Sequence, residues 1–190
     1  MRSIVCETPE QIQMAQALRY EVYCLEKEWI EPGTCDQGLE VDSYDELAIH
    51  FLVLDDETDA TLGTSRLLLG SCQELPGAEF IDLGALGLLP EQTCEVSRLA
   101  SLRSARARNF EVFLLLMHAM STWGAGVDIT AALSVADVSL HRLMTRIGMP
   151  YVAVGEPVEY LGSECIPSVI DVAGFNQLVA RTREARLEPA

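Results

Sequence analysis

Apolar residues fall at Ile12, Ala15, Leu18, Val22, Leu25 and Trp29, at separations of three and four that predict an amphipathic helix. Thr8-Pro9-Glu10-Gln11 marks its start, with threonine as cap, proline in the first helical position and glutamine to close a capping box. Pro32-Gly33 breaks the pattern, and residues 31–46 read as a polar, irregular loop. Ala48–Asp55 and Thr61–Leu69 are apolar and β-compatible, with residues 55–59 forming the turn between them. Residues 70–93, rich in Gly and Pro, read as a long connection, and Cys94–Leu102 as a third strand. Phe110–Trp123 reads as a buried helix, capped by Asn109 and stopped by Gly124 and Gly126.

Val127–Leu133 follows as a strand, and Ser134 as the cap of a helix ending at Gly148, with Pro150 just beyond. Tyr151–Tyr160 and Cys165–Val172 read as a final strand pair, and Phe175–Leu187 as a C-terminal helix. A helical start, a strand meander and then β-α-β-α-β predict one domain, residues 1–190, of the α/β (α+β) class with helices on both faces of the sheet. There is no internal repeat and no linker.

A chain of 190 residues, 49% hydrophobic, is long enough to bury a full core. No apolar run approaches the eighteen or so residues of a membrane span, and the N-terminus lacks the apolar stretch of a secretory signal. The expectation is a cytoplasmic protein with no transmembrane segment. A net charge of −16 argues against nucleic acid as a partner, since phosphates require a basic face. Lys27 is the one lysine among 13 cationic residues; six of the arginines are Arg98, Arg103, Arg106, Arg108, Arg142 and Arg146, a candidate docking patch for an acidic partner. Cysteines 6, 24, 35, 72, 94 and 165 form no C-x-x-C pair, so no metal is expected and free, mostly buried thiols are.

Charge chemistry concentrates in few places. Glu95 and Arg98 read either as a surface ion pair or as functional groups; three apart on a strand, they face opposite sides unless a bulge intervenes. Glu40, Asp42 and Asp45 form either a solvated acidic loop or a set of partners for an acceptor's ammonium or for Arg19, Arg66 or Arg98. Arg19 and Arg66 read as structural arginines or as bidentate clamps on a carboxylate. Tyr23, Trp29 and Phe80 read as core or as ligand-facing aromatics. The scattered His50, His118 and His141 read as structural histidines, and with no nucleophile–histidine arrangement the expectation is direct transfer without a covalent acyl-enzyme. Val112, Phe113, Leu115, Leu116, Met117, Met120 and Trp123 are core residues first, and part of them a candidate wall for a fatty acyl chain.

Arg19-Tyr20-Glu21-Val22-Tyr23 running to Trp29, then Glu40-Val41-Asp42-Ser43-Tyr44-Asp45, Arg66-Leu67-Leu68 and Glu95-Val96-Ser97-Arg98 stand in that order along the chain. This series closely resembles the signature of the autoinducer-synthase-like acyltransferases, which include acyl-homoserine lactone synthases and N-acyl amino acid synthases. The resemblance implies a GNAT-like mixed, twisted sheet with a splayed central strand pair, and Glu95 as the base that frees an amine. It implies acceptor-binding roles for Arg19, Tyr23, Trp29, Asp42, Asp45, Arg66 and Arg98, with Phe80 as a further candidate, and an oxyanion held by backbone amides around Leu99 to Ser101. Where many GNAT proteins carry Arg-x-x-Gly-x-Gly/Ala, this chain has arginine in place of both later small residues, within Arg103-Ser-Ala-Arg106-Ala-Arg108. That departure disfavours coenzyme A and an ordinary acetyltransferase, and suits an acyl carrier protein with its acyl-phosphopantetheine as donor and no tightly bound cofactor. Trp29 resembles the lactone synthases, whose acceptor is S-adenosylmethionine. Ala48–Leu52, Leu75–Glu79, and Gly155–Gly162 with Pro167 resemble the N-acyl amino acid synthases, and the balance of these motifs leans toward a long-chain N-acyl amino acid as product. A non-catalytic acyl-chain binding module is the remaining alternative; the complete charged set of Arg19, Asp42, Asp45, Arg66, Glu95 and Arg98 counts against it.

Overall fold

The computed structural model describes residues 1–187, the side chains of Ser104, Arg106, Ala107, Asn109 and residues 183–187 lying outside the description. The strands are β1 (Arg2–Val5), β2 (Ile49–Leu54), β3 (Thr61–Leu69), β4 (Thr93–Ser101), β5 (Ala131–Asp137), β6 (Tyr151–Ala153), β7 (Val158–Tyr160) and β8 (Ser163–Asp171). The helices are α1 (Pro9–Tyr20), α2 (Asn109–Gly124), α3 (Val138–Arg146) and α4 (Val172–Leu187). They form two compact units, the first made of Met1–Leu68, Val96–Met120 and Leu161–Ser163, and the second of Leu69–Glu95, Ser121–Tyr160 and the chain from Glu164 onward.

In the first unit, β1 and β3 flank β2 in antiparallel register, with Ile4 opposite Leu52 and His50 opposite Arg66. The hairpin between β2 and β3 closes because the Asp55 carboxylate accepts the backbone N–H groups of Glu57 and Thr58 at 3.1 and 3.3 Å. The capping box expected at Thr8 is present: Gln11 N donates to Thr8 Oγ1 at 3.3 Å, and Gln11 Oε1 accepts from the Thr8 backbone at 3.3 Å. The helix does not continue as α to Trp29. From Glu21 to Glu26 it widens into a π-helical turn, with Lys27 N donating to Val22 O at 3.0 Å. Leu18, Val22 and Tyr23 pack there on Ala100 of β4, with Trp29 and Ile30 beside them. Gly63 admits α2: a Cβ at this position would lie 2.4 Å from Val112 Cγ1.

In the second unit, β4 pairs in parallel with β5 over Thr93–Glu95, β5 runs antiparallel to β8 along its whole length, and β6 and β7 pair with β8. The mixed sheet expected from the sequence is found, with several boundaries moved. β1 was not anticipated, because four residues are too few to show alternation. The strand expected at Val127–Leu133 begins at Ala131, since Val127 N and Thr130 N are spent on Gly124 O and Gln92 O. Ser134 is a buried strand residue opposite Ser168, and the cap of α3 is Asp137, whose carboxylate accepts from Ser139 N and Leu140 N at 2.9 and 3.3 Å. The proposed cap of α2, Asn109, has its side chain outside the described residues. The single strand expected over Tyr151–Tyr160 is two short ones, β6 and β7.

Candidate active site

Six of the charged residues singled out in the sequence converge in the first unit. α1 supplies Arg19, β3 supplies Arg66 and β4 supplies Arg98, and all three guanidinium groups are buried. The loop after the π-helical turn supplies Glu40, Asp42 and Asp45. Each arginine bridges two of these carboxylates. Arg19 meets Asp45 through Nη1 and Nη2 at 2.9 and 2.7 Å, and its Nε lies 2.5 Å from Glu40 Oε2, out of line for a hydrogen bond. Arg66 Nη1 meets Asp42 and Asp45 at 2.5 and 2.6 Å. Arg98 Nη2 meets Glu40 and Asp42 at 3.0 and 2.8 Å. Every carboxylate is thereby held by two arginines, and the six charges close into a neutral ring.

Burial alone would push the Asp45 carboxyl up, but the hydrogen bonds and charges of Arg19 and Arg66 outweigh it and hold it well below the usual carboxylate range. Asp42 is lowered in the same way by Arg66 and Arg98. Burial lowers the Arg98 pKa, and Glu40 and Asp42 more than restore it, so this arginine is raised. Asp42 is the member of the ring most open to solvent, its side chain 24% exposed against 7% for Asp45 and 4% for Glu40.

Residues not anticipated as part of the site buttress the ring. Gln16 Nε2 donates to Asp45 Oδ2 at 3.3 Å, and Arg66 Nε donates to Ser97 Oγ at 3.2 Å. His50 Nε2 donates to the Asp45 carbonyl at 3.2 Å, while its Nδ1 is buried without a hydrogen-bond partner; burial lowers its pKa, so the ring is neutral at pH 7. The sequence held a faint signal for Gln16, which stands one helical turn before Arg19 on the same face.

Arg98 settles the spacing question on β4. It adopts a left-handed backbone, φ +53°, which breaks the alternation of the strand and lets Glu95 and Arg98 both be buried. A non-glycine residue in this region costs about 1–3 kcal/mol, and the two carboxylates on its side chain hold it there. Tyr23 donates its hydroxyl to Leu99 O at 3.0 Å and stacks on Trp29, with ring centroids 5.8 Å apart. Burial pushes the Tyr23 phenol up to about 12, so it serves as a donor. Lys27 Nζ lies 4.9 Å from the Trp29 ring centroid. Ser101 and Leu99 are half-buried on the same strand.

In the second unit, Glu95 is fully buried and accepts the Gly77 backbone N–H at 2.7 Å. Phe80 is half-buried and meets Tyr160 edge to face at 5.3 Å. Of the docking candidates, Arg103 and Arg108 are exposed, Arg108 paired with Asp55 at 3.1 Å, and the Arg106 side chain lies outside the described residues. Among the described residues no group of His, Cys, Asp and Glu could hold a metal, and no helix is long and apolar enough to cross a membrane.

Glu95 and the left-handed Arg98 thus stand on one strand, β4, of a mixed sheet. Residues 18–118 match the family described as acetyltransferase (GNAT) domain, and the chain belongs to that family. Its likeness to the autoinducer synthases is borne out. An acyl-homoserine-lactone synthase of Rhizobium radiobacter is 28% identical over 170 residues, spanning 86% of this chain and 76% of that protein. The crystal structure of TofI in a ternary complex with an inhibitor and MTA superposes with a TM-score of 0.71 at 22% identity, covering 94% of this chain and 100% of that one. BjaI, a CoA-dependent acyl-homoserine lactone synthase solved with SAM and isopentyl-CoA, gives 0.72 at 21% identity over 95% of this chain and 87% of that one. These structural likenesses carry the fold.

Proposed function

We propose that this acyltransferase is an acyl-homoserine lactone synthase. It moves an acyl group from a thioester to the α-amine of S-adenosylmethionine; the acceptor's carboxylate then closes the lactone and methylthioadenosine leaves. The observation that carries this reading is the 28% identity to the Rhizobium radiobacter synthase along 86% of the chain. A second support is electrostatic: the sulfonium makes S-adenosylmethionine a cation, and a chain of net charge −16 favours its approach over that of a zwitterionic amino acid.

The motifs that leaned toward the N-acyl amino acid synthases lose weight because packing accounts for part of them. A Cβ at Gly162, where φ is +76°, would lie 2.2 Å from Trp29 O. That glycine is required by close approach, whatever the acceptor.

Glu95 takes the proton of the attacking amine, which with an ordinary pKa near 8 is largely protonated at neutral pH. The N–C bond forms, the C–S bond breaks, and the donor leaves as a thiol. Backbone amides from Leu99 to Ser101 hold the oxyanion, with Tyr23 fixing the strand through Leu99 O. The arginines, each already shared by two carboxylates, hold residues 40–45 in place, and Asp42 offers negative charge to the cationic acceptor. The donor is an acyl carrier protein met by Arg103, Arg106 and Arg108.

Mass spectrometry of organic extracts from bacteria expressing the chain or its Glu95→Gln variant tests the reading. Acyl-homoserine lactones present with the wild type and absent with the variant are expected. N-acyl amino acids in their place would move the acceptor to an amino acid, and no new lipid in either extract would leave an acyl-binding module.

A further inference from the structure

We propose that Cys24 and Cys35 are a thiol–disulfide pair, a redox modification site that acts on the segment carrying Trp29. Their Sγ atoms lie 3.5 Å apart, and a disulfide at about 2.05 Å requires only a small closing movement. The pairing joins two dissimilar pieces of chain. Cys24 sits in the π-helical turn and is 2% exposed. Cys35 follows the turn Pro32–Thr34, where its N–H donates to Pro32 O at 3.1 Å, and it is partly open to solvent.

That difference in exposure orders the chemistry. A small-molecule disulfide of the glutathione class meets Cys35 first. The Cys35 thiolate attacks one of its sulfurs, giving a mixed disulfide and releasing one small thiol. Cys24, already alongside, gives up its proton to solvent, attacks Cys35 Sγ and releases the second small thiol. Two electrons pass from the protein to the oxidant, and both leaving groups are accounted for. Burial, followed by the contact with Cys35, pushes the Cys24 thiol up to about 12, so Cys24 is the slower of the two to attack an oxidant.

Closure encloses Lys27 and Trp29 in one covalent loop and fixes the stack of Lys27, Trp29 and Tyr23. The pair stands apart from the proposed reaction, and its test does not rely on activity. Lys27 is the only lysine in the chain and lies between the two cysteines. The folded protein is treated with oxidised glutathione, alkylated, denatured and cut with a lysine-specific protease. The expected result is that residues 1–27 and 28–190 run as one species without reductant and separate with it. Cys72→Ser, which removes an exposed thiol, keeps the link, and Cys35→Ser loses it. Separate fragments from oxidised wild type in which Cys72 carries glutathione would overturn the proposal, as would a link that survives Cys35→Ser.

Discussion

Replacing Asp45 with asparagine removes one negative charge from the buried ring and almost none of its volume. Asp45 accepts from Arg19 at 2.9 and 2.7 Å, from Arg66 at 2.6 Å and from Gln16 at 3.3 Å. The asparagine oxygen can keep some of these bonds, but its amide turns a donor toward guanidinium groups that need acceptors, and the ring gains a net positive charge. Breaking a buried ion pair from one side costs roughly 3–5 kcal/mol. The retained acceptor puts the expected loss at the lower end, about 3 kcal/mol, a large part of the roughly 5–15 kcal/mol that a domain has. For a chain of this size that is a fall of roughly 6–12 °C in the melting midpoint. The pH dependence has a definite sign. The Asp45 carboxyl is depressed below its ordinary value of 3.8 in the folded state, so its contribution is complete above that pH and fades as pH falls toward the depressed value. Asparagine does not titrate. The gap between wild type and variant is therefore widest at pH 7 and narrows below about pH 4. Urea unfolding at pH 7, 4 and 3 measures it. A variant within about 1 kcal/mol of wild type at pH 7, the scale of a surface pair, would refute the buried ring; a gap unchanged down to pH 3 would refute the assigned ionisation.

Glu95→Gln retains an acceptor for the Gly77 N–H, so it should lower acyl transfer by about 100-fold or more while leaving the melting midpoint nearly unmoved; wild-type turnover would remove Glu95 from the role of base. Gly77→Ala places a Cβ 3.0 Å from Glu95 Oε2 and 3.4 Å from Val135, shifting the carboxylate by a few tenths of an ångström; kcat should fall roughly tenfold with circular dichroism unchanged, and an unaltered kcat would show that the position of Glu95 is not critical. Gly162→Ala meets both a φ of +76° and Trp29 O at 2.2 Å, so the Trp29 turn must open, seen as a red-shifted tryptophan emission and a lowered midpoint; unchanged emission would count against this contact. Arg103→Glu with Arg108→Glu should raise KM for an acyl carrier protein and its salt sensitivity while sparing a small acyl thioester; equal effects on both donors would exclude the docking patch.

Local chemistry made part of this legible in advance. Thr8 and Gln11 form the capping box they spell, and residues 55–59 turn where Asp55 can collect backbone N–H groups, because each depends on neighbours within a few residues. The partners of the arginines were legible as a set but not as a pattern. Nothing in the order of residues says that Arg66 takes Asp42 and Asp45 while Arg98 takes Glu40 and Asp42. The positive φ at Arg98 was hidden for the same reason: a tertiary ion pair outweighs the local preference of a strand arginine. Ser134 was read as the cap of α3, but it pairs with Ser168 of β8 inside the strand, and Asp137 caps the helix instead. The acceptor was the least legible, since a glycine such as Gly162 serves packing as readily as specificity.

Stability does not explain the ring. Apolar residues of similar volume often replace a buried ionic cluster with no loss, and a hydrophobic plug would spare Arg98 its left-handed backbone. A plug of that kind has no direction, however. It could join α1, β3 and β4 without fixing how residues 40–45 lie across them. With three arginines each shared by two carboxylates, any shift of the loop breaks at least two ion pairs, so one arrangement stands well below its neighbours in energy. In that arrangement Glu40 and Asp45 face inward and Asp42 keeps an open edge, its oxygens also held by Arg66, Arg98 and the Tyr44 N–H. On the proposed function, a preorganised carboxylate next to solvent suits capture of a positively charged acceptor, and the strain at Arg98 is part of holding it there.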